Sequence, residues 1–287
     1  MPSHPTTNSR LVSSAARADP GSRVVQPTGP VTSWDVPEGD TIWRTAEKLG
    51  GALAGKKVVA ARPDILKRFA GRTITEVKPV GKHLLIRFDN GLAIHSHMRM
   101  QGAWHVYAKG ERWRRPAWQA KALLEMEDVT AVCFAAPVIE LVKDEQTKVG
   151  HLGPDILTDG WSLPEVIKRA RAMRDRAVGE LLLDQRVTAG IGNVYRCEAL
   201  WHERVNPWKQ SADLTDEQLG ALFGVAREAM RANLGGGIRR RFPGYGKEAV
   251  HGRGGRPCPR CATPIRVRAQ GELARLTYWC PSCQALI

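Results

Sequence analysis

No stretch of eighteen apolar residues occurs in the 287-residue chain, so the sequence offers no helix able to cross a bilayer. Cysteine is scarce, and four of the six fall in the last thirty residues. The two left over, Cys133 and Cys197, cannot build a disulfide framework and read as inert core thiols in a reducing cytoplasm. Residues 1–35 lack both hydrophobic periodicity and an apolar stretch of signal-peptide type. Their Ser, Pro, Thr and Gly content reads as disorder. Acidic residues are also in deficit, 29 against 43 basic ones, for a net charge of +14. Such an excess suits a polyanionic partner, although charge alone does not separate DNA from RNA or from a membrane surface.

What the chain does have is concentrated at its end. Cys258-x-x-Cys261 and Cys280-x-x-Cys283 are separated by eighteen residues, with Pro259 and Pro281 inside the two turns. Each C-x-x-C turn brings two thiolates to one metal, and two turns on a short hairpin complete a tetrahedral shell. The pattern predicts one structural zinc with no open coordination position, in preference to a redox pair of disulfides. From Arg239 to Ile287 there are ten Lys/Arg against two Asp/Glu, a balance that favours phosphate.

Ahead of this finger the periodicity changes twice. Asp40 and Thr41 read as caps of a helix with apolar positions Ile42, Trp43, Ala46, Leu49 and Leu53, closed by glycines 50, 51 and 55. Period-two runs follow at 73–79, 83–88, 92–97, 121–126, 131–134 and 138–142, with Asp89-Asn-Gly91 as a hairpin turn. They predict an antiparallel β-sandwich over 37–157. Beyond a linker near 158–163 the pattern is helical, with helices expected at 164–174, 177–184, 193–202 and 215–234. The fold class is therefore α+β and multidomain: a sandwich, a helical domain at 164–254 and a zinc-finger hairpin at 255–287. Between two of the helices lies Ala189-Gly-Ile-Gly-Asn193, whose glycines would let backbone amides approach a phosphate, or simply make a turn with Asn193 as a cap.

Four motifs then occur in one order: Pro37-Glu-Gly-Asp40, Val80-Gly-Lys-His-Leu-Leu85, Ala189-Gly-Ile-Gly-Asn-Val-Tyr195, and Arg275-Leu-Thr-Tyr-Trp-Cys-Pro-Ser-Cys-Gln284. From Pro37 onward the chain resembles the bacterial formamidopyrimidine-DNA glycosylases and endonuclease VIII. Leu181-Leu-Leu-Asp-Gln185, the leading Pro-Glu-Gly and the Tyr-Trp-Cys-Pro ending bring it closer to the endonuclease VIII branch. The resemblance implies a helix-two-turn-helix domain before the finger. It also implies a bifunctional glycosylase and abasic-site lyase of base excision repair that removes oxidised bases, pyrimidines foremost, and cleaves by β,δ-elimination. A zinc-containing DNA-binding protein without catalysis is the rival reading, and an RNA-binding or ribosome-associated role a more distant third.

The same resemblance assigns roles. Pro37 is the nucleophile, Glu38 the acid/base carboxylate, Lys82 a phosphate-binding lysine that assists elimination, and Arg275 the finger arginine on the DNA backbone, tied to the second elimination. Without the motif, Glu38 would pass for an ordinary helix-start residue and Lys82 for a solvated strand lysine. In Ser96-His-Met-Arg-Met-Gln-Gly102, Met100 is the candidate wedge filling the gap left by the extruded nucleotide, flanked by Arg99 and Gln101, with a buried core methionine as the alternative. Asn193 joins the DNA-binding set. Asp40-Thr41 departs from the Pro-Glu-Gly-Pro-Glu start of many relatives, so a second acidic pocket residue is absent. Loop 239–256 either recognises a base or joins helix to finger. The expected partner is damaged DNA, met by a cytoplasmic, nucleoid-associated monomer. An internal proline nitrogen has no lone pair to offer, so the working protein is expected to begin at Pro37, with Val36 as a misassigned initiator and 1–35 a gene-start error or a cleaved extension.

Overall fold

The computed structural model describes residues 37–235, 242 and 247–285. The expectations for residues 1–36, and for positions 239–241 and 243–246 of loop 239–256, lie outside the described residues.

Helix α1 spans Gly39–Leu53. Ile42, Ala46, Leu49 and Leu53 recur at helical spacing and enter the sandwich core, whereas Trp43 turns away and packs on the helical domain. Two expectations fail here. Asp40 and Thr41 lie inside the first turn instead of capping it, and Gly50 and Gly51 are helical. Only Gly55, at φ 78°, adopts the left-handed conformation that follows the helix.

The sandwich consists of two four-stranded antiparallel sheets. One holds β1 (Ala60–Arg62), β6 (Ala120–Glu125), β7 (Val129–Phe134) and β5 (Ala103–Ala108) in that order. The other runs β2 (Ile74–Val80), β3 (His83–Phe88), β4 (Ala93–His97) and β8 (Val138–Val142). Five of the six expected period-two runs recur to within one residue at each end, and the run at 131–134 extends back to Val129. The short β1 and β5 escaped, because β5 mixes buried and half-exposed residues without alternation. In the β3–β4 hairpin, Asn90 accepts the Leu92 N–H at 3.1 Å and Gly91 sits at φ 75°. Between the sheets lie Leu84, Ile86, Ile94, Met98, Leu124 and Cys133, all buried.

After the single turn α2 (Gln146–Val149) come α3 (Leu163–Arg171), α4 (Val178–Leu181), α5 (Asn193–His202) and α6 (Asp216–Ala232). The segment expected to be helical over 177–184 forms only one turn, held to the connection between α5 and α6 by Val178 N–H to Lys209 O at 2.8 Å. Thr215 and Gln218 form a reciprocal capping box on α6. Ile156 and Leu157 pack with Leu181, Val194, Leu222 and Phe223 in the helical core. The finger hairpin, β9 (Arg266–Gln270) with β10 (Arg275–Trp279), lies on α5, where Cys197 and Trp201 meet Ile265 and Cys280.

Candidate active site and metal centre

The glycine turn at 189–193 is where the three parts of the molecule meet. Gly39 N–H donates to Gly190 O at 3.0 Å, and the buried Glu38 carboxylate accepts the amides of Gly192 (3.2 Å) and Val194 (2.9 Å). The Pro37–Gly39 segment is thereby seated on the positive end of α5. The Gly192 amide, one of those that the sequence reading offered to a phosphate, is thus occupied by a side chain of the protein. Both glycines are obligatory for a close approach: a Cβ on Gly192 would lie 2.2 Å from Glu38 Cδ, and one on Gly39 would lie 2.9 Å from Gly190 Cα.

Lys82 reaches the same turn from the sheet side. Its Nζ donates to Ile191 O, and the preceding Gly81, at φ 58°, lies so close that a Cβ there would meet Ala189 Cβ at 2.8 Å. Asp155 accepts Gly81 N–H at 2.7 Å and Leu157 N–H at 3.0 Å, so one carboxylate ties the lysine turn to the helical domain. Burial lowers the Lys82 pKa to about 8. Glu38 opposes that shift, and the charges of Arg275 and Arg196 add to it. The four groups therefore share one electrostatic neighbourhood.

From the finger side, Asn193 Nδ2 donates to Leu276 O at 2.8 Å. Arg196, fully buried, donates to Thr277 Oγ1 at 2.7 Å and contacts Asn193 Oδ1 and Leu276 O. These bonds place β10, and Arg275 at its exposed start, over the α5 entrance. Asn193 is thus a bracket between helix and finger in the DNA-free protein. Sequence reasoning passed over Arg196 and Asp155; nothing in spacing distinguishes a buried arginine from a surface one. Asp40, read as a cap, is buried and accepts the Tyr195 hydroxyl at 2.9 Å.

Arg99, Met100 and Gln101 are exposed at the tip of the β4–β5 turn, with Arg99 at φ 46°. Gly102 N–H closes the turn on Met98 O at 2.9 Å, where a Cβ would lie 2.6 Å from that oxygen. Of the two methionines, Met98 is the core residue at 1 % exposure and Met100 projects at 45 %. Beside this turn His83, His95 and His97 cluster, His83 Nδ1 lying 2.8 Å from His95 Nε2. Burial pushes His83 down to about 3 and His97 to about 4, with Lys82 adding to both shifts, so these two rings bring no charge at neutral pH; burial lowers His95 as well, against the pull of Glu140.

Cys258, Cys261, Cys280 and Cys283 converge with all four Sγ atoms within 4.8 Å of one another, a set able to hold a metal ion. Sulfur pairs at 3.4 and 3.9 Å bracket the roughly 3.8 Å edge of a tetrahedron with 2.3 Å metal–sulfur bonds. Trp201 Nε1–H points at Cys258 Sγ at 3.4 Å, Cys280 N–H is held by Gln284 Oε1 at 2.9 Å, and Arg260 stacks 4.1 Å from the Trp201 ring. Cys133 and Cys197 are buried, and burial raises both thiols, as expected of inert core residues. No helix among the described residues is long and apolar enough to cross a membrane.

A sandwich and a helical domain joined at a glycine turn, with a four-cysteine hairpin behind, define a class of DNA-repair fold. The formamidopyrimidine-DNA glycosylase N-terminal domain model matches residues 36–137, and the formamidopyrimidine-DNA glycosylase H2TH domain model matches residues 152–242. The chain is 44% identical to a probable endonuclease 8 2 of Streptomyces coelicolor, covering 87% of this chain and 94% of that protein. It is 36% identical to endonuclease 8 2 of Mycobacterium tuberculosis and 32% identical to endonuclease 8 of Escherichia coli, covering 87% of this chain and all of each relative. The Lactococcus lactis formamidopyrimidine-DNA glycosylase, solved with abasic-site DNA, shares the fold at a TM-score of 0.73 and 20% identity, over 87% of this chain and 100% of that one. The protein belongs to the formamidopyrimidine-DNA glycosylase and endonuclease 8 family, whose members are DNA glycosylases and abasic-site lyases of base excision repair.

Proposed function

We propose that the protein excises oxidised bases, pyrimidines foremost, through Pro37 and then cleaves the strand at the resulting abasic site by β,δ-elimination. The observation that carries this reading is the seating of Pro37–Gly39 on the Gly190–Val194 turn, with Glu38 and Lys82 on the same turn and Arg275 above it. An α-amine titrates about 2 to 3 units below a lysine, so much more of it is neutral near pH 7. Its lone pair attacks the anomeric carbon of the extruded nucleotide while the base departs and Glu38 protonates the ring oxygen. The resulting secondary-amine adduct is a cationic iminium. It withdraws electrons from C2′, a proton is lost there, and the 3′ phosphate leaves. Loss of the 5′ phosphate follows in the same sense, assisted by Arg275, whose guanidinium suits a phosphate. Lys82 binds the phosphate beside the lesion, and Met100, flanked by Arg99 and Gln101, occupies the vacated stack. Asn193 contacts the backbone at the α5 entrance. One zinc held by Cys258, Cys261, Cys280 and Cys283 keeps the finger folded and takes no part in the reaction.

The chemistry requires Pro37 to be terminal. Protein produced from Pro37 is expected to form a borohydride-stable adduct with DNA carrying an abasic site or an oxidised pyrimidine. Chain retaining residues 1–36, verified by mass spectrometry, is expected to form none. Efficient trapping through Pro37 in the full-length chain would sink the reading, because an amide nitrogen cannot become an iminium. DNA binding with no trapping by the Pro37 form would favour a non-catalytic zinc protein.

A further inference from the structure

We propose that the segment 109–119, between β5 and β6, is a second DNA-contacting surface that holds the strand opposite the lesion; the inference rests on the reading of this protein as a glycosylase. The segment carries Lys109, Arg112, Arg114 and Arg115 against one acid, Glu111, and includes two tryptophans. Glu111 is spent on the backbone, accepting Ala108 N–H at 3.0 Å. None of the four cations forms an ion pair among the described residues. A cluster of positive charge left without carboxylates is suited to phosphate.

The two tryptophans are used differently. Trp113 stacks on Tyr107 with ring centres 6.4 Å apart and meets Phe134 edge-on at 5.8 Å. It anchors the segment to the sheet. Trp118 is 77 % exposed, although an indole gains by burial, and its flat apolar face suits a sugar or an unpaired base.

Position identifies the strand. Arg115 Nη1 donates to Gln101 O at 3.0 Å, so the segment is continuous with the wedge turn. The register agrees, since Phe134 pairs with both Ala103, which follows the wedge turn, and Ala120, which follows Trp118. The wedge turn passes from β4 in one sheet to β5 in the other. Lys82 precedes β3 in the first sheet, and the basic segment joins two strands of the second. A side chain that penetrates the duplex from this turn has the damaged strand on the side of Lys82 and Glu38. The undamaged strand then faces Arg112, Arg114 and Trp118.

The test compares wild type with R112A/R114A/W118A, leaving Arg115 in place because it holds the wedge turn. Binding is measured on an abasic-analogue duplex and on two versions with neutral methylphosphonate linkages near the lesion, in either the damaged or the undamaged strand. The variant is expected to bind the unmodified duplex at least tenfold more weakly, with a salt slope reduced by about 2 for two lost phosphate contacts. Neutral linkages in the undamaged strand should weaken wild type and leave the variant unaffected, whereas those in the damaged strand should weaken both equally. R112E alone, at an exposed position, should act in the same direction. Wild-type affinity in the variant, or lost sensitivity to the damaged strand instead, overturns the proposal. Absence of borohydride trapping by otherwise unaltered protein that begins at Pro37 would indict the glycosylase reading.

Discussion

Glu38 and Gly192, 154 residues apart in sequence, are in direct contact: the carboxylate receives the Gly192 N–H at 3.2 Å, leaving no room for a Cβ. Gly192→Ala should therefore displace Glu38 from the α5 entrance and move Pro37 with it. We expect borohydride trapping to fall by a factor on the order of 100, the scale at which misplacing a reacting group by about 1 Å acts. Circular dichroism and metal content should stay at wild-type values. Trapping within twofold of wild type would show that the contact does not position the nucleophile.

Lys82, with its pKa lowered to about 8 by burial, loses charge over an accessible pH range. A DNA phosphate beside it favours the ammonium, so the complex keeps the proton to higher pH than the free protein. Binding then takes up a proton, and affinity should fall as pH rises through about 8, by up to about tenfold per unit. Lys82→Arg, which stays charged, should flatten this dependence between pH 7.5 and 9.5. An unchanged slope in that variant would place the titrating group elsewhere.

The four-cysteine cluster should hold one zinc per chain by elemental analysis. Cys280→Ser should lose the metal and weaken DNA binding in parallel, because β10 and Arg275 follow the finger's fold. Full metal content after that substitution would remove the assignment.

Met98 and Met100 separate stability from function. Met98→Ala empties a buried site and should cost about 2 to 5 kcal/mol by denaturant titration. Met100→Ala, at an exposed position, should change stability by no more than about 0.5 kcal/mol yet slow excision from duplex DNA. Equal excision by wild type and Met100→Ala would leave the wedge without support.

Glu198 receives the amides of Ala249, Val250 and His251 at 2.7 to 3.0 Å, anchoring the chain ahead of the finger to α5. Glu198→Ala strands those buried donors and should cost about 1 to 3 kcal/mol, visible as faster proteolysis between residues 247 and 256. Wild-type protease resistance would show that the anchor contributes little.

Much was legible because it is local. The C-x-x-C pairs announce a metal shell, since two thiols three residues apart can share one ion whatever surrounds them. The period-two runs around Asp89–Gly91 and the apolar spacing of α1 and α6 are likewise properties of short segments. The roles proposed for Pro37, Glu38, Lys82 and Arg275 come only through resemblance, for nothing local distinguishes Lys82 from any other strand lysine. Tertiary structure decided what depends on the neighbours of a residue. It turned the 189–193 glycines from a candidate phosphate loop into the seat of Glu38, and Asp40 from a cap into a partner of Tyr195. It also separated the buried Met98 from the projecting Met100, two residues that the sequence presents alike. The physical reason is common to all three. Periodicity and spacing report which way a side chain leaves its own backbone, while a buried carboxylate or an exposed methionine is defined by atoms that arrive from strands and helices far away in the chain.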